Sequence, residues 1–190
     1  LVNTLMSNQA SSNLLAKTTH GLVAIAIIHQ LLSSEWMAKP WRLTEATDLA
    51  KTLLTTHTWS GLLIAGLLVF MLAGLRQRYR LNGIGAFFPW TQSFRRQALT
   101  QSLLESITVL RQRHMPSADQ THALAKAVQG LGLLTVAFMA TTGIAIWLSG
   151  DNIEIAHQIG SIHELGAVPL QLYLGGHVVM ALLHRCFGQK

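Results

Sequence analysis

Four histidines lie within or at the start of apolar segments, where a polar side chain is costly and usually functional. His163 and His177 are fourteen residues apart in one long apolar segment, and His20 and His57 each open another. Imidazole nitrogens are common metal ligands, so these residues predict metal binding. Fourteen residues is almost four helical turns, which would place His163 and His177 on one helix face, about 21 Å apart.

The composition of the chain indicates a membrane protein. Of its 190 residues, 50% are hydrophobic and 12% are charged, and the mean hydropathy is +0.36. Soluble domains usually carry about 25% charged residues. The one cysteine, Cys186, excludes an intrachain disulfide framework, a cysteine-rich metal site and covalent attachment of a c-type haem. We expect a single membrane domain over residues 1–190.

Four stretches have close to the 20 apolar residues that a membrane-spanning helix needs. They cover about residues 18–37, 56–75, 124–148 and 159–183. The polar stretch before the first span has no small-residue cleavage site after it, so we expect a retained helix rather than a signal peptide. The predicted fold class is all-α, an integral membrane four-helix bundle.

The charges of the loops predict the orientation of this bundle. Eleven of the 14 basic residues lie at the termini or in the loop between the second and third spans, and three lie on the opposite side. Because cytoplasmic loops carry the excess of basic residues, we expect both termini in the cytoplasm. This distribution explains the net charge of +6. No nucleic-acid-binding motif is present, so nucleic acid is not an expected partner.

The basic loop between the second and third spans contains an amphipathic segment at residues 91–113. Leu99, Leu103, Ile107 and Leu110 recur there at helical spacing, with arginines on both sides of the stripe. The pattern predicts an additional amphipathic helix on the cytoplasmic membrane surface, in contact with lipid. A helix packed against a neighbouring subunit is the alternative.

The predicted orientation puts the four histidines at two depths. His57 and His163 would lie near the outer face, and His20 and His177 near the inner face. Two neutral imidazoles at each depth fit the six-coordinate iron of a haem, which suits electron transfer. Zinc would need three or four ligands converging at one depth. We therefore predict two haems, one held by His57 and His163 and the other by His20 and His177.

The inner site has one competing ligand and two possible accessory residues. His184 lies seven residues after His177, on nearly the same helix face, and is the alternative ligand for the inner iron. If it is not a ligand, we expect it near a haem propionate or a quinone headgroup. Arg76 or Arg185 could neutralise the propionates of the inner haem.

Two further histidines carry weaker predictions. His157 lies six residues before His163 and is an alternative outer ligand. His29 is half a turn out of phase with His20, so it either bonds a neighbouring helix or lines a quinone or proton path.

Small residues and one proline accompany the histidines. Gly61, Gly166, Gly175 and Gly176 would leave room for porphyrin planes, although small residues also serve ordinary helix packing in membranes. Pro169 could kink the fourth span.

A set of short motifs over about residues 17–187 carries a family resemblance. The motifs are Thr19-His20-Gly21, His57 with Gly61, Ile162-His163-Glu164-Leu165 through Gly176-His177, and Leu183-His184-Arg185. They resemble the bacterial cytochrome b561 family, which is akin to the b-type cytochrome subunits of nickel–iron hydrogenases. The resemblance implies a haem b electron carrier that exchanges electrons with quinone. It also implies that the four predicted ligands are axial.

Three functions follow from these patterns. The favoured one is electron transfer between a periplasmic redox protein or enzyme subunit and the quinone pool. The others are a stand-alone superoxide:quinone oxidoreductase and a structural membrane subunit. Superoxide would be steered by a basic outer surface. Lys39, Arg42 and Lys51 on that side are offset by acidic residues, which favours the first function.

Overall fold

The computed structural model describes residues 2–78, 85, 87–114 and 116–187, and every regular element in this part of the chain is helical. The prediction of an all-α fold is confirmed. The α-helices are α1 (Val2–Ser34), α2 (Asp48–Arg78), α3 (Ser93–Arg111), α4 (Ala118–Leu148), α5 (Ile153–Leu165) and α6 (Ala167–Phe187). Short 3₁₀ segments at Pro40–Glu45 and Pro89–Thr91 precede α2 and α3.

Polar side chains cap the starts of three apolar helices. The side-chain oxygens of Thr47 and Asn152 each accept a hydrogen bond from the backbone N–H three residues later, at 3.3 and 3.1 Å. Before α4, Gln120 Oε1 accepts from the Ser117 N–H at 2.8 Å, and Ser117 Oγ accepts from the Gln120 N–H at 3.3 Å. These contacts satisfy amide groups that have no partner within the first turn of a helix.

The helices form two compact units. The first unit comprises residues 1–73 and 139–163, which include α1, the Pro40–Glu45 segment, most of α2, the end of α4 and most of α5. The second unit comprises residues 74–138 and 164–190, which include α3, the first part of α4, and α6.

Within the part of the chain that the structure describes, three stretches are long and apolar enough to cross a membrane, namely Asp48–Gly74, Asp119–Leu148 and Ile153–Leu183. Their large apolar side chains are mostly exposed, as lipid-facing side chains are. Helix α1 is not among these stretches, and the side chains of much of its first part lie outside the described residues. A span in α1, and with it the four-helix count, stays a prediction.

The last apolar segment is two helices, not one. Helix α5 ends at Leu165, Gly166 forms a turn, and α6 begins at Ala167. Pro169 has no N–H to donate to the Leu165 carbonyl, which explains an interruption one turn before the proline. The apolar segment is interrupted near Pro169, so the prediction of one continuous helix is wrong, whereas the sharing of one face by His163 and His177 stays a prediction.

The predicted helix in the basic loop is present as α3. It buries Ser102 and Ser106, and the Ser102 hydroxyl donates to the backbone carbonyl of Gln120. Several apolar residues remain exposed on it, namely Phe94, Leu103, Leu104, Ile107 and Leu110. A helix that lies on a membrane surface needs an exposed apolar stripe. The location of α3 on that surface stays a prediction.

The fold generates a prediction at Gly130 of α4, which is buried against the backbone carbonyl of Phe87. A Cβ at position 130 would overlap that carbonyl, and a backbone group cannot turn aside as a side-chain tip can. We expect Gly130→Ala to lower the free energy of unfolding by about 1–3 kcal/mol. Thermal unfolding in detergent, followed by circular dichroism, measures the change.

Gly66→Ala is the matched control, since nothing lies within 4 Å of a Cβ at that helical position. Alanine is favoured over glycine inside a helix by roughly 0.5–1 kcal/mol, so this control should not destabilise the protein. Equal melting temperatures for the two variants would contradict the prediction.

Candidate metal centre

Three histidines from three helices form one cluster in the first unit. His29 lies on α1, His57 on α2 and His163 on α5, and all three are partly buried. His57 lies near enough to both of the other imidazoles, and to Lys39 beyond the end of α1, for a charge on any of them to affect it. The structure therefore brings His57 and His163, the predicted outer ligands, into one cluster, although their role as a ligand pair stays a prediction.

A serine of α1 lies within hydrogen-bond distance of the His57 imidazole. The Nδ1 atom of His57 lies 2.9 Å from Ser33 Oγ. The Ser33 hydroxyl donates its one hydrogen to the backbone carbonyl of His29 at 2.7 Å, with the Gln30 carbonyl at 3.2 Å as a second acceptor. When the hydroxyl donates to a carbonyl in this way, its oxygen can accept from Nδ1–H of His57. The lone pair is then on Nε2, as a metal ligand requires.

A threonine of α4 has the same relation to His163. The Nδ1 atom of His163 lies 2.7 Å from Thr142 Oγ1, and this hydroxyl donates to the Met139 carbonyl at 3.2 Å. With the hydroxyl donating to that carbonyl, its oxygen can accept from Nδ1–H of His163, which is the tautomer with the lone pair on Nε2. Gly143 lies beside this ring, where a Cβ would be 3.4 Å from His163 Cε1.

His29 is joined to the neighbouring helix. Its Nδ1 atom lies 3.0 Å from Ser60 Oγ, and Ser60 donates to the Thr56 carbonyl at 2.8 Å. The Gln30 amide also links α1 to α2, since its Nε2 donates to Ser60 Oγ at 2.7 Å and to the His57 carbonyl at 2.6 Å. The expectation that His29 bonds a neighbouring helix is confirmed.

Gly61 and His157 contact residues other than those that the sequence led us to expect. A Cβ at Gly61 would be 3.3 Å from Gln30 Nε2, so this glycine accommodates the amide that joins α1 to α2. His157 is exposed, and its ring packs edge-on against Trp41 with the centroids 4.9 Å apart. Trp41 also covers Gly160, one turn before His163, where a Cβ would overlap the indole ring.

The predicted inner ligands fall in different units. His20 is exposed in the first unit, and His177 is partly buried in the second. Tyr173, one turn before His177, stacks on it with ring centroids 5.8 Å apart and an interplanar angle of 21°. Their pairing stays a prediction.

The candidates near the inner ligands are only partly described. Arg185 is exposed at the end of α6. The side chains of His184 and Arg76 lie outside the described residues, so the choice between His177 and His184 also stays open.

The donor set of the first unit fits a haem better than a zinc ion. Among the residues that the structure describes, no three His, Cys, Asp or Glu side chains come together as metal ligands. His57 and His163 each have a lone pair on Nε2, and two neutral imidazoles are what a six-coordinate haem iron takes. The residues present therefore fit a haem.

The hydroxyl partners of the imidazoles, Ser33 and Thr142, could not be predicted from the sequence. The sequence gives only a weak indication of a role for either residue. Ser33 is polar within an apolar helix, and Thr142 precedes a glycine in the third span. Serine and threonine commonly bond their own helix backbone, so their presence alone does not point to a histidine.

Comparison with known proteins supports the resemblance. A family model described as prokaryotic cytochrome b561 matches residues 11–190, which include all four predicted ligands. No curated protein and no solved structure matches the chain. Because the family model covers nearly the whole sequence, the chain belongs to the prokaryotic cytochrome b561 family of membrane electron-transfer proteins.

Proposed function

We propose that this protein is a di-haem b cytochrome that carries electrons between a periplasmic redox partner and the quinone pool. The observation that carries the proposal is the arrangement of His57 and His163 in one cluster. Each ring is held at Nδ1 by a hydroxyl and has its lone pair on Nε2. An imidazole in this form is ready to bind iron.

The outer site uses His57 and His163 as the two axial ligands. Haem b, when bound, supplies reversible one-electron chemistry, and the protein supplies its orientation and electrostatics. A haem held by both histidines would suit electron transfer rather than oxygen binding. The helix-to-helix bonds of Gln30 and Ser60 keep α1 and α2 in register beside this site.

The inner site uses His20 and His177, with His184 as the alternative to His177. The fourteen-residue spacing does not follow one straight helix, since Gly166 interrupts it. The assignment of His20 and His177 to one inner site therefore depends on their depth in the membrane and on the family motif rather than on a shared helix face. Tyr173 stacks on His177 and limits the rotation of that ring.

The proposed location of the protein is the bacterial inner membrane. We infer four spans, including α1, in a single membrane domain with both termini in the cytoplasm, because the basic residues concentrate on that side. Helix α3 would lie on the cytoplasmic lipid surface with its apolar stripe toward the membrane. Quinone is the membrane-soluble partner, and a periplasmic redox protein or enzyme subunit is the other.

Superoxide:quinone oxidoreduction is a second candidate, and one observation favours it. Lys39 is close enough to interact electrostatically with His57, and its Nζ lies 5.9 Å from the centre of the Trp41 ring. A cation beside the outer site would attract an anionic substrate. Reduction of the purified protein by superoxide, at a rate that falls with ionic strength, would favour this candidate over a protein partner.

The haem content tests the proposal directly. We expect a pyridine haemochrome assay to give two haem b per chain. His57→Ala and His163→Ala should each lose one haem, because each removes an axial ligand of the same iron. His122→Ala is the control, since His122 is exposed and is not a proposed ligand. Two haems retained in both ligand variants would contradict the outer site.

A charge near the inner haem generates a further prediction. Arg185 follows the proposed inner ligand by two helical turns, and a cation there would offset the negative propionates. Since a nearby positive charge favours the reduced form, we expect Arg185→Gln to lower the midpoint potential of one haem. We expect the same direction for Arg76→Gln. Arg111→Gln is the control for a general loss of basic charge, and unchanged redox titrations would rule out this role.

A further inference from the structure

We propose that Ser33 and Thr142 are positioning residues that hold the imidazoles of His57 and His163 in the form that binds iron. The inference rests on the proposed function, because it takes these two histidines as the axial ligands of one haem. It assigns to two hydroxyl groups a role in setting the potential of that haem.

The geometry at the two hydroxyls is closely matched. Ser33 Oγ is 2.9 Å from His57 Nδ1, and Thr142 Oγ1 is 2.7 Å from His163 Nδ1. Each hydroxyl donates its hydrogen to a carbonyl of its own helix, at His29 for Ser33 and at Met139 for Thr142. A hydroxyl has one hydrogen, so at each histidine the oxygen acts as an acceptor.

The hydroxyl in each case comes from a different helix than the imidazole that it holds. Ser33 of α1 holds a ring of α2, and Thr142 of α4 holds a ring of α5. Ser33 is only 3% exposed. With no water to compete inside a membrane, each bond fixes the tautomer of the ring and restricts its rotation.

The expected chemical effect is on the electron density at Nε2. An acceptor at Nδ1–H raises the basicity of the opposite nitrogen, and a more basic ligand stabilises ferric over ferrous iron. Ser33 and Thr142 should therefore hold the midpoint potential of the outer haem below the value that unsupported imidazoles would give.

The test compares variants that delete only the hydroxyl. Ser33→Ala and Thr142→Val should each raise the midpoint potential of one haem and leave the other unchanged. The double variant should shift it further. We also expect haem to be held about 10-fold to 100-fold more weakly at the altered site. Redox titration, haem retention and the low-spin ferric electron paramagnetic resonance signal are the measurements.

Matched controls separate this role from a general loss of helix bonding. Ser34 and Thr135 also donate to carbonyls of their own helices, at Leu31 and Leu131, and hold no histidine. Ser34→Ala and Thr135→Val should leave both potentials unchanged. Thr142→Ser, which keeps the hydroxyl, should restore the native potential and signal.

The possible outcomes distinguish this inference from the function on which it rests. Unchanged potentials in Ser33→Ala and Thr142→Val would overturn the inference and leave the haem assignment standing, provided that His57→Ala loses a haem. A failure of Thr142→Ser to restore the potential would also overturn the role of the hydroxyl. Retention of both haems in His57→Ala would overturn the proposed function and this inference together.

Discussion

The absence of water from the membrane interior is the constraint on which the proposed site depends. Every polar hydrogen there must find an acceptor within the protein. A serine or threonine in an apolar helix therefore donates to a carbonyl of the preceding turn, which leaves its oxygen able only to accept. Where such an oxygen meets a histidine, it determines the position of the imidazole proton. At Ser33 and Thr142, an ordinary helix bond would thereby help to present each proposed metal ligand.

The same constraint accounts for the contacts between α1 and α2. Gln30 places an amide among apolar residues, and its Nε2 donates to the Ser60 hydroxyl and the His57 carbonyl. Ser60 in turn lies against His29. The polar groups that lower the hydropathy of α1 are therefore those that join it to its neighbour.

The features that depend on local pattern could be predicted from the sequence, and those that depend on helix rotation could not. The length of the apolar stretches and the charges of the loops were enough to predict the helical elements. Pro169 was enough to predict a kink. The break at Gly166 was not foreseen, because a glycine beside a histidine also suits a cofactor. The role of the hydroxyls could not be predicted, because only the packing of the helices decides whether Ser33 or Ser34 faces α2. Likewise, spacing along the chain could not show that His157 lies against Trp41, more than 100 residues away.

The composition of α1 has a consequence for how the protein is made. A nascent helix enters the bilayer from the translocon according to its own hydrophobicity. In the proposed four-span arrangement, α1 emerges first with His29 and Gln30 unpaired, and their partners emerge later on α2. The favourable unit of insertion is then the hairpin of both helices rather than α1 alone. The residues that surround the proposed outer site would thus also favour the insertion of α1 and α2 as a pair.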